Sequence, residues 1–401
     1  LTDRPAPGNL FANLILIRFL SLTGDSLIRY ALPVYVFTQT GSAAYSGLAY
    51  ALEWGPRILV LPFLGAMADR LPLRRQLLWL EGIRLCLLVV LARSVPLPAV
   101  IVIGSVFSVM NSYSYVLLEG CMSVLFGASR GGKVQARIQA TDSVALIAGP
   151  GLAGILLTSY GFVAATAVGS LCLVASVCGI IIFRIPLRAA SGVKRPLVST
   201  ADLREVVELL KKTPVLLRLM VFTAIINLVE GTIMALIPAV MLSSFGQTPL
   251  GVGVLNAAAN GGAALALIGL SFVLKRTRLQ TLAIWSGVAM VATGLALGVT
   301  GSVVVFCAAF VAFMIAQSIF VVHARTERLK HTPMEHIGKI VSVMNSFIMI
   351  PLPLSGLLVA ALAGRFHPQT IVMLALAAGV ALVPVALLLT GGRARLAAAE
   401  R

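Results

Sequence analysis

The chain has 401 residues, 59% of them hydrophobic and 11% charged, with a formal net charge of +17. A soluble domain carries nearer a quarter of its residues as charges, so this composition excludes a soluble globular protein and marks an integral membrane protein. The basic excess sits in short segments between apolar runs, which reads as positive-inside bias and excludes a nucleic-acid footprint.

Residues 1–9 form a short polar start, and Leu1 in place of Met points to an alternative start codon or a trimmed end. Spans are predicted near 10–37, 43–64, 77–94, 98–124, 138–159 and 161–183, then near 214–242, 250–273, 279–299, 302–323, 338–363 and 370–390. Each is close to or above the ~20 residues that cross a hydrocarbon core. The first run continues into a full span, so it is read as a helix and not as a cleavable leader. Twelve crossings put both termini on one side. The resulting organisation is an all-α membrane protein, with a six-helix bundle over 1–183, a linker over 184–213 and a second bundle over 214–401.

Charge sorts the loops cleanly. One side holds Arg70, Arg74 and Arg75, then Arg130, Lys133 and Arg137, Lys275, Arg276 and Arg278, and Arg325, Arg328, Lys330 and Lys339. The other side holds essentially Arg93 and Arg365. The basic side is expected to be cytoplasmic, in a bacterial inner membrane. The central stretch starts as a Pro-interrupted linker. It then offers Ser199 or Thr200 as an N-cap, acids Asp202, Glu205 and Glu208, and Lys211 and Lys212 at the far end. Acids early and bases late suit a helix dipole and predict a short amphipathic helix on the cytoplasmic face.

Ionisable groups within a bilayer cost ~2.5–3.5 kcal/mol each on insertion scales, so they face a bundle interior or a cavity. Arg18, Ser21, Asp25 and Arg29 follow helical spacing on span one, and Tyr50, Glu53 and Arg57 share a face of span two. Asn111, Tyr115 and Glu119 stack along span four, Asn227 and Glu230 along span seven, and Asn256 and Asn260 along span eight. Two readings of the charged residues stay open. Asp25 with Arg29 and Glu53 with Arg57 are i,i+4 pairs that neutralise one another, or they line a substrate path in which Arg18, Arg29 and Arg57 favour an acidic ligand. Glu230 has no basic residue nearby on its own helix, Arg218 being twelve positions earlier, and is the first candidate to carry a proton, with Asp25 the second. Cys86, Cys121, Cys172, Cys178 and Cys307 fall inside apolar runs without metal spacing and are read as packing residues. His323, His331, His336 and His367 sit at span ends or in loops, so no relay, metal site or cofactor is expected of them.

The halves look related. Pro33 and Pro238, Asp25 and Glu230, and Gly41 and Gly246 share one offset of 205 residues (238 − 33). Between spans two and three the chain reads G-A-M-A-D-R-L-P-L-R-R, placing Gly65, Asp69, Arg70, Arg74 and Arg75 in one short basic loop. Span five carries Gly149, Pro150, Gly151 and Gly154, a pattern that small-residue helix packing also produces.

This loop resembles the signature loop of the major facilitator superfamily, and the Gly-Pro run resembles that superfamily's antiporter motif. With the first-span phrase L-T-G-D-S…A-L-P, the chain is similar to the drug/proton antiporter branch that includes enterobactin exporters and macrolide efflux proteins. Span four lacks the arginine that many proton-driven members carry there.

The resemblance implies two pseudo-symmetric bundles working by alternating access, with a midplane site lined by spans one, four, seven and eight among others. It implies a monomer in the bilayer that exchanges protons for an amphiphilic small molecule such as a siderophore or macrolide, with no enzymatic activity. Gly65, Asp69, Arg70, Arg74 and Arg75 would form a cytoplasmic gate, with Glu119 and Asp142 reaching its arginines. Uptake is the alternative direction, and a channel or non-transporting sensor the alternative class.

Overall fold

A computed structural model describes residues 8–68, 72–93, 95–183, 208, 210, 213–332 and 337–399. The described residues form twelve α-helices. In chain order they are α1 (Gly8–Thr40), α2 (Ala43–Ala68), α3 (Leu73–Leu91), α4 (Leu97–Ser159), α5 (Gly161–Ile182), α6 (Pro214–Ala239), α7 (Pro249–Val273), α8 (Leu279–Val299), α9 (Val303–His331), α10 (Ile337–Met349), α11 (Pro351–Leu362) and α12 (Pro368–Ala399). Nine segments among the described residues are long and apolar enough to cross a membrane. The predicted linker helix falls almost wholly outside the described residues.

Helices and spans do not correspond one to one. The backbone is helical without a break across α4, although two spans are predicted there, and a straight 63-residue helix would run about 95 Å. It cannot be straight. Arg18 touches Tyr115 with its guanidinium 4.6 Å from the ring centroid and also touches Asp142 at 2.6 Å. A straight helix would hold those two contacts about 40 Å apart. The chain therefore reverses between them, giving an outgoing limb, Leu97–Leu118, and a returning limb, Arg137–Ser159. Conversely, α10 and α11 share the span Val343–Leu362, interrupted at Ile350. There Pro351 and Pro353 remove two backbone donors from the helical ladder. Twelve crossings result.

The chain packs as two compact units. One comprises Leu1–Gln39, Leu52–Leu197 and Gln247–Ala257. Its apolar core joins α1, α3, α4 and α5 through Leu14, Ile17, Leu77, Leu117, Ile138 and Ile180. The other comprises Thr40–Ala51, Val198–Gly246 and Ala258–Arg401. In it α12 lies against α6, where Gly379 leaves room for Val229 and Ile225, and α11 meets the first turns of α2. A Cβ on Gly47 would stand 2.6 Å from the Gly356 carbonyl oxygen, so only glycine permits that crossing.

The 205-residue repeat has a backbone counterpart. Gly41 and Gly246 both adopt φ 61°, turning the chain after the first helix of each half. That left-handed conformation is cheap for glycine and costly for other L-residues.

Candidate functional site

Helical spacing turns Arg18, Ser21 and Asp25 of α1 to one side, and all three are buried. Arg18 grips Asp142 of the returning limb of α4 bidentately, Nε to Oδ1 at 2.6 Å and Nη2 to Oδ2 at 2.7 Å. The planar fork of arginine matches a carboxylate in this way. Among the described residues Asp142 thus pairs with Arg18, and not with Arg74 or Arg75 of the loop as the sequence suggested.

One turn further along α1, a second buried cluster forms around two residues of α3 that the sequence reading passed over. Arg84 Nη2 pairs with Asp25 Oδ1, and Arg84 Nη1 lies 2.9 Å from Glu81 Oε2. Glu81 Oε1 accepts from Ser21 Oγ at 2.9 Å and from Ser114 Oγ at 3.1 Å. The Phe107 ring covers the Arg84 guanidinium at 5.2 Å. Glu81 and Arg84 were detectable as two ionisable groups three residues apart in an apolar run, the pattern that marks a functional position in a membrane span.

Asp25 thus pairs across helices and not with Arg29 one turn away. Arg29 instead approaches Glu53 of α2, Nε to Oε1 at 3.5 Å. Asn111 lies between the two systems. With its amide turned to satisfy both ends, it donates to Asp25 Oδ2 and accepts from Arg29 Nη2 at 3.2 Å. Arg57 stacks on Trp54 at 4.6 Å. Of the three arginines expected to meet substrate, Arg18 is shut away by Asp142, while Arg29 and Arg57 are partly exposed.

In the second unit Glu230 of α6 accepts from Gln317 Nε2 of α9 at 2.8 Å. Among the described residues this neutral amide is its hydrogen-bond partner and no ion pair is formed. Gln317 also escaped the sequence reading, although it is an isolated amide in a long apolar run. Asn227, one turn before Glu230, donates to the Ile348 carbonyl at 2.7 Å, just ahead of the proline break. Asn256 Nδ2 donates within its own helix to the Val252 carbonyl at 2.9 Å, and Asn260 lies one turn beyond it.

The Gly-Pro run serves close approach. A Cβ on Gly149 would collide with Ser26 of α1, and one on Gly154 would stand 3.0 Å from Leu250 Cα at the start of α7. Thr158 Oγ1 accepts from the Leu250 backbone N–H at 2.8 Å beside that crossing. Of the signature-loop residues, Gly65 lies in the helical backbone of α2, Asp69 and Arg70 lie outside the described residues, and Arg75 is exposed. Arg74 Nη2 lies 3.4 Å from the Ile181 carbonyl of α5. The side-chain surroundings of Glu119 also lie outside the described residues.

Two helical units of membrane-spanning segments, with charged side chains paired inside the spans, define a polytopic membrane carrier. Residues 14–355 match the sequence profile of the Major Facilitator Superfamily, and the chain belongs to that superfamily of secondary transporters. No curated protein matches the sequence. Among solved structures the fold is similar to a mutant of the peptide transporter POT in complex with alafosfalin, with a TM-score of 0.74 at 12% identity over 99% of this chain and 97% of that one. It is similar to the nucleoside transporter NupG, with a TM-score of 0.72 at 16% identity over 94% of this chain and 98% of that one. A bacterial homologue of the human lysosomal transporter Spinster gives a TM-score of 0.68 at 14% identity, over 99% of this chain and 98% of that one.

Proposed function

We propose that this transporter uses a proton gradient to export an amphiphilic small molecule with an acidic or zwitterionic group, such as a siderophore, or a drug such as a macrolide. The observation that carries the proton coupling is Glu230, a carboxyl group in an apolar span held by the neutral amide of Gln317. A group so placed can change its protonation without breaking an ion pair, which suits a carrier of protons. Asp25, tied to Arg84, is the second candidate.

The leaning toward an acidic substrate rests on Arg29 and Arg57, which remain partly exposed in α1 and α2. Guanidinium groups pair well with carboxylates and catecholates. Similar folds carry peptides and nucleosides, so the fold alone does not choose the cargo. The resemblance to exporters of siderophores and macrolides supports the outward direction, and the sorting of basic loops supports cytoplasmic termini in a bacterial inner membrane.

The test uses purified protein in phospholipid vesicles with an imposed pH gradient. A catecholate siderophore, a macrolide and a nucleoside serve as probes, each read by radiolabel uptake with simultaneous proton flux. Accumulation of the siderophore or macrolide against its gradient, coupled to proton movement in the opposite direction, supports the proposal. Accumulation that ignores the pH gradient overturns the coupling, and co-directional movement of protons and cargo overturns the antiport reading.

A further inference from the structure

The cluster around Arg84 contains more acid than base. Glu81 and Arg84 are 0% exposed and Asp25 is 2% exposed, so all three lie out of reach of bulk water. From α1 come Ser21 and Asp25, and from α4 Asn111, Ser114 and the Phe107 ring. Arg29 lies beyond Asn111 and faces Glu53 of α2, which Arg57 also approaches, while Arg18, on the other side, is held by Asp142. Cys172 of α5 packs beside Gly24. Within the cluster one guanidinium serves two carboxyl groups.

The hydrogen-bond partners distinguish the two acids. Asp25 faces the Arg84 guanidinium and the Asn111 amide nitrogen, which can only donate. It must therefore act as the carboxylate. Glu81 Oε2 also meets Arg84 Nη1 at 2.9 Å, but its Oε1 faces only two hydroxyls, and a hydroxyl donates or accepts as needed. Ser21 Oγ already accepts from Arg84 Nη1 at 3.0 Å. Ser114 Oγ, 3.1 Å from Glu81 Oε1, can turn its own proton away and accept a hydrogen bond when Oε1 is the one that carries a proton.

We infer that Glu81 is a proton-binding residue of the first unit, carrying its proton on Oε1 toward Ser114 while Asp25 neutralises Arg84. On release the proton leaves Glu81 Oε1 for water admitted to the cluster during the transport cycle, and the new carboxylate, already 2.9 Å from Arg84 Nη1, competes fully with Asp25 for the same guanidinium. Two carboxyl groups thus share one cation, and the state of the proton decides which of them holds it. The role of this site in transport rests on the proton-coupled reading above; its occupancy does not.

Infrared spectroscopy of the full chain in vesicles of phosphatidylethanolamine and phosphatidylglycerol tests the assignment, because a protonated carboxyl group shows a C=O stretch that a carboxylate lacks. The expected result is a band in the wild type that is missing in Glu81→Gln. The same band should disappear in Asp25→Asn, since Arg84 then has Glu81 as its remaining acid. Ser114→Ala, a mild change, should keep the band and raise its frequency by removing the acceptor.

An unchanged band in Glu81→Gln overturns the assignment, as does a band that persists in Asp25→Asn or stays fixed in Ser114→Ala. If Glu81→Gln does not fold, the Ser114→Ala shift decides alone. Wild-type vesicles that show the band but no proton-driven uptake of any probe would defeat the coupling reading and leave the Glu81 site standing.

Discussion

Glu230 receives the side-chain amide of Gln317 at 2.8 Å, and in the first half Asp25 receives the amide of Asn111. The acids are 205 positions apart (230 − 25) and the amides 206 (317 − 111). The first helix of each half thus presents an acid to an amide three helices later in the chain. The halves differ in what else surrounds the acid: Arg84 joins Asp25, whereas Glu230 has no ion-pair partner among the described residues.

Glu230→Gln should therefore abolish accumulation driven by a pH gradient and preserve downhill exchange. Counterflow of labelled against unlabelled substrate in vesicles, measured beside gradient-driven uptake, separates the two activities. Normal uphill transport by the variant would shift the carrier role to Asp25.

The buried pair of Arg18 and Asp142 should be a strong determinant of stability. Replacing one member leaves an uncompensated charge in the interior, at a cost of about 3–5 kcal/mol. Arg18→Met or Asp142→Asn should each lower the unfolding temperature in detergent markedly. The double variant Arg18→Met with Asp142→Leu should recover most of the loss, because neither charge is then left alone. A double variant no better than the singles would contradict this account.

Arg29 and Arg57 should discriminate by substrate charge. Arg29→Gln or Arg57→Gln should weaken binding of an acidic ligand more than binding of its neutral ester, measured by competition on the purified protein. Equal losses for both ligands would assign the two arginines to pairing with Glu53 and stacking on Trp54 alone.

Gly154 should tolerate no larger side chain without separating α4 from the start of α7. With cysteines introduced as Thr158→Cys and Leu250→Cys, oxidative cross-linking should be efficient in the parent and should drop when Gly154→Leu is added. The corresponding Gly47→Leu change should force α2 and α11 apart, because its Cβ would meet the Gly356 backbone. Undiminished cross-linking in the Gly154→Leu variant would refute the close-approach role.

Much of this was legible in the sequence, because helices impose a period and loops sort by charge. The α1 stripe, the twelve crossings and the turn at Gly41 repeated at Gly246 all follow from spacing along the chain. What spacing cannot supply is the rotation of one helix against another. Arg29 is the nearest cation to Asp25 along α1, yet Arg84 on α3 is fully buried opposite it and takes that place. Depth along the span points Asp142 toward the loop arginines, whereas Arg18 lies beside it from α1. Glu81, Arg84 and Gln317 were readable as polar residues in apolar runs, but only the packing shows that Arg84 and Gln317 face the acids of the first helix in each half and that Glu81 joins Arg84.

The clasp between Arg18 and Asp142 also bears on how the protein is made. The two residues are 124 positions apart in the chain. A ribosome adding about 5–20 residues per second needs about 6–25 s to deliver the aspartate after the arginine has emerged. Throughout that interval the guanidinium lacks this carboxylate, and a charged side chain within a span is costly in lipid. Integration of α1 should therefore be firmer once the returning limb of α4 has arrived. Nascent chains stalled before Asp142 should leave α1 extractable by alkali, and chains stalled well after it should retain α1 in the membrane.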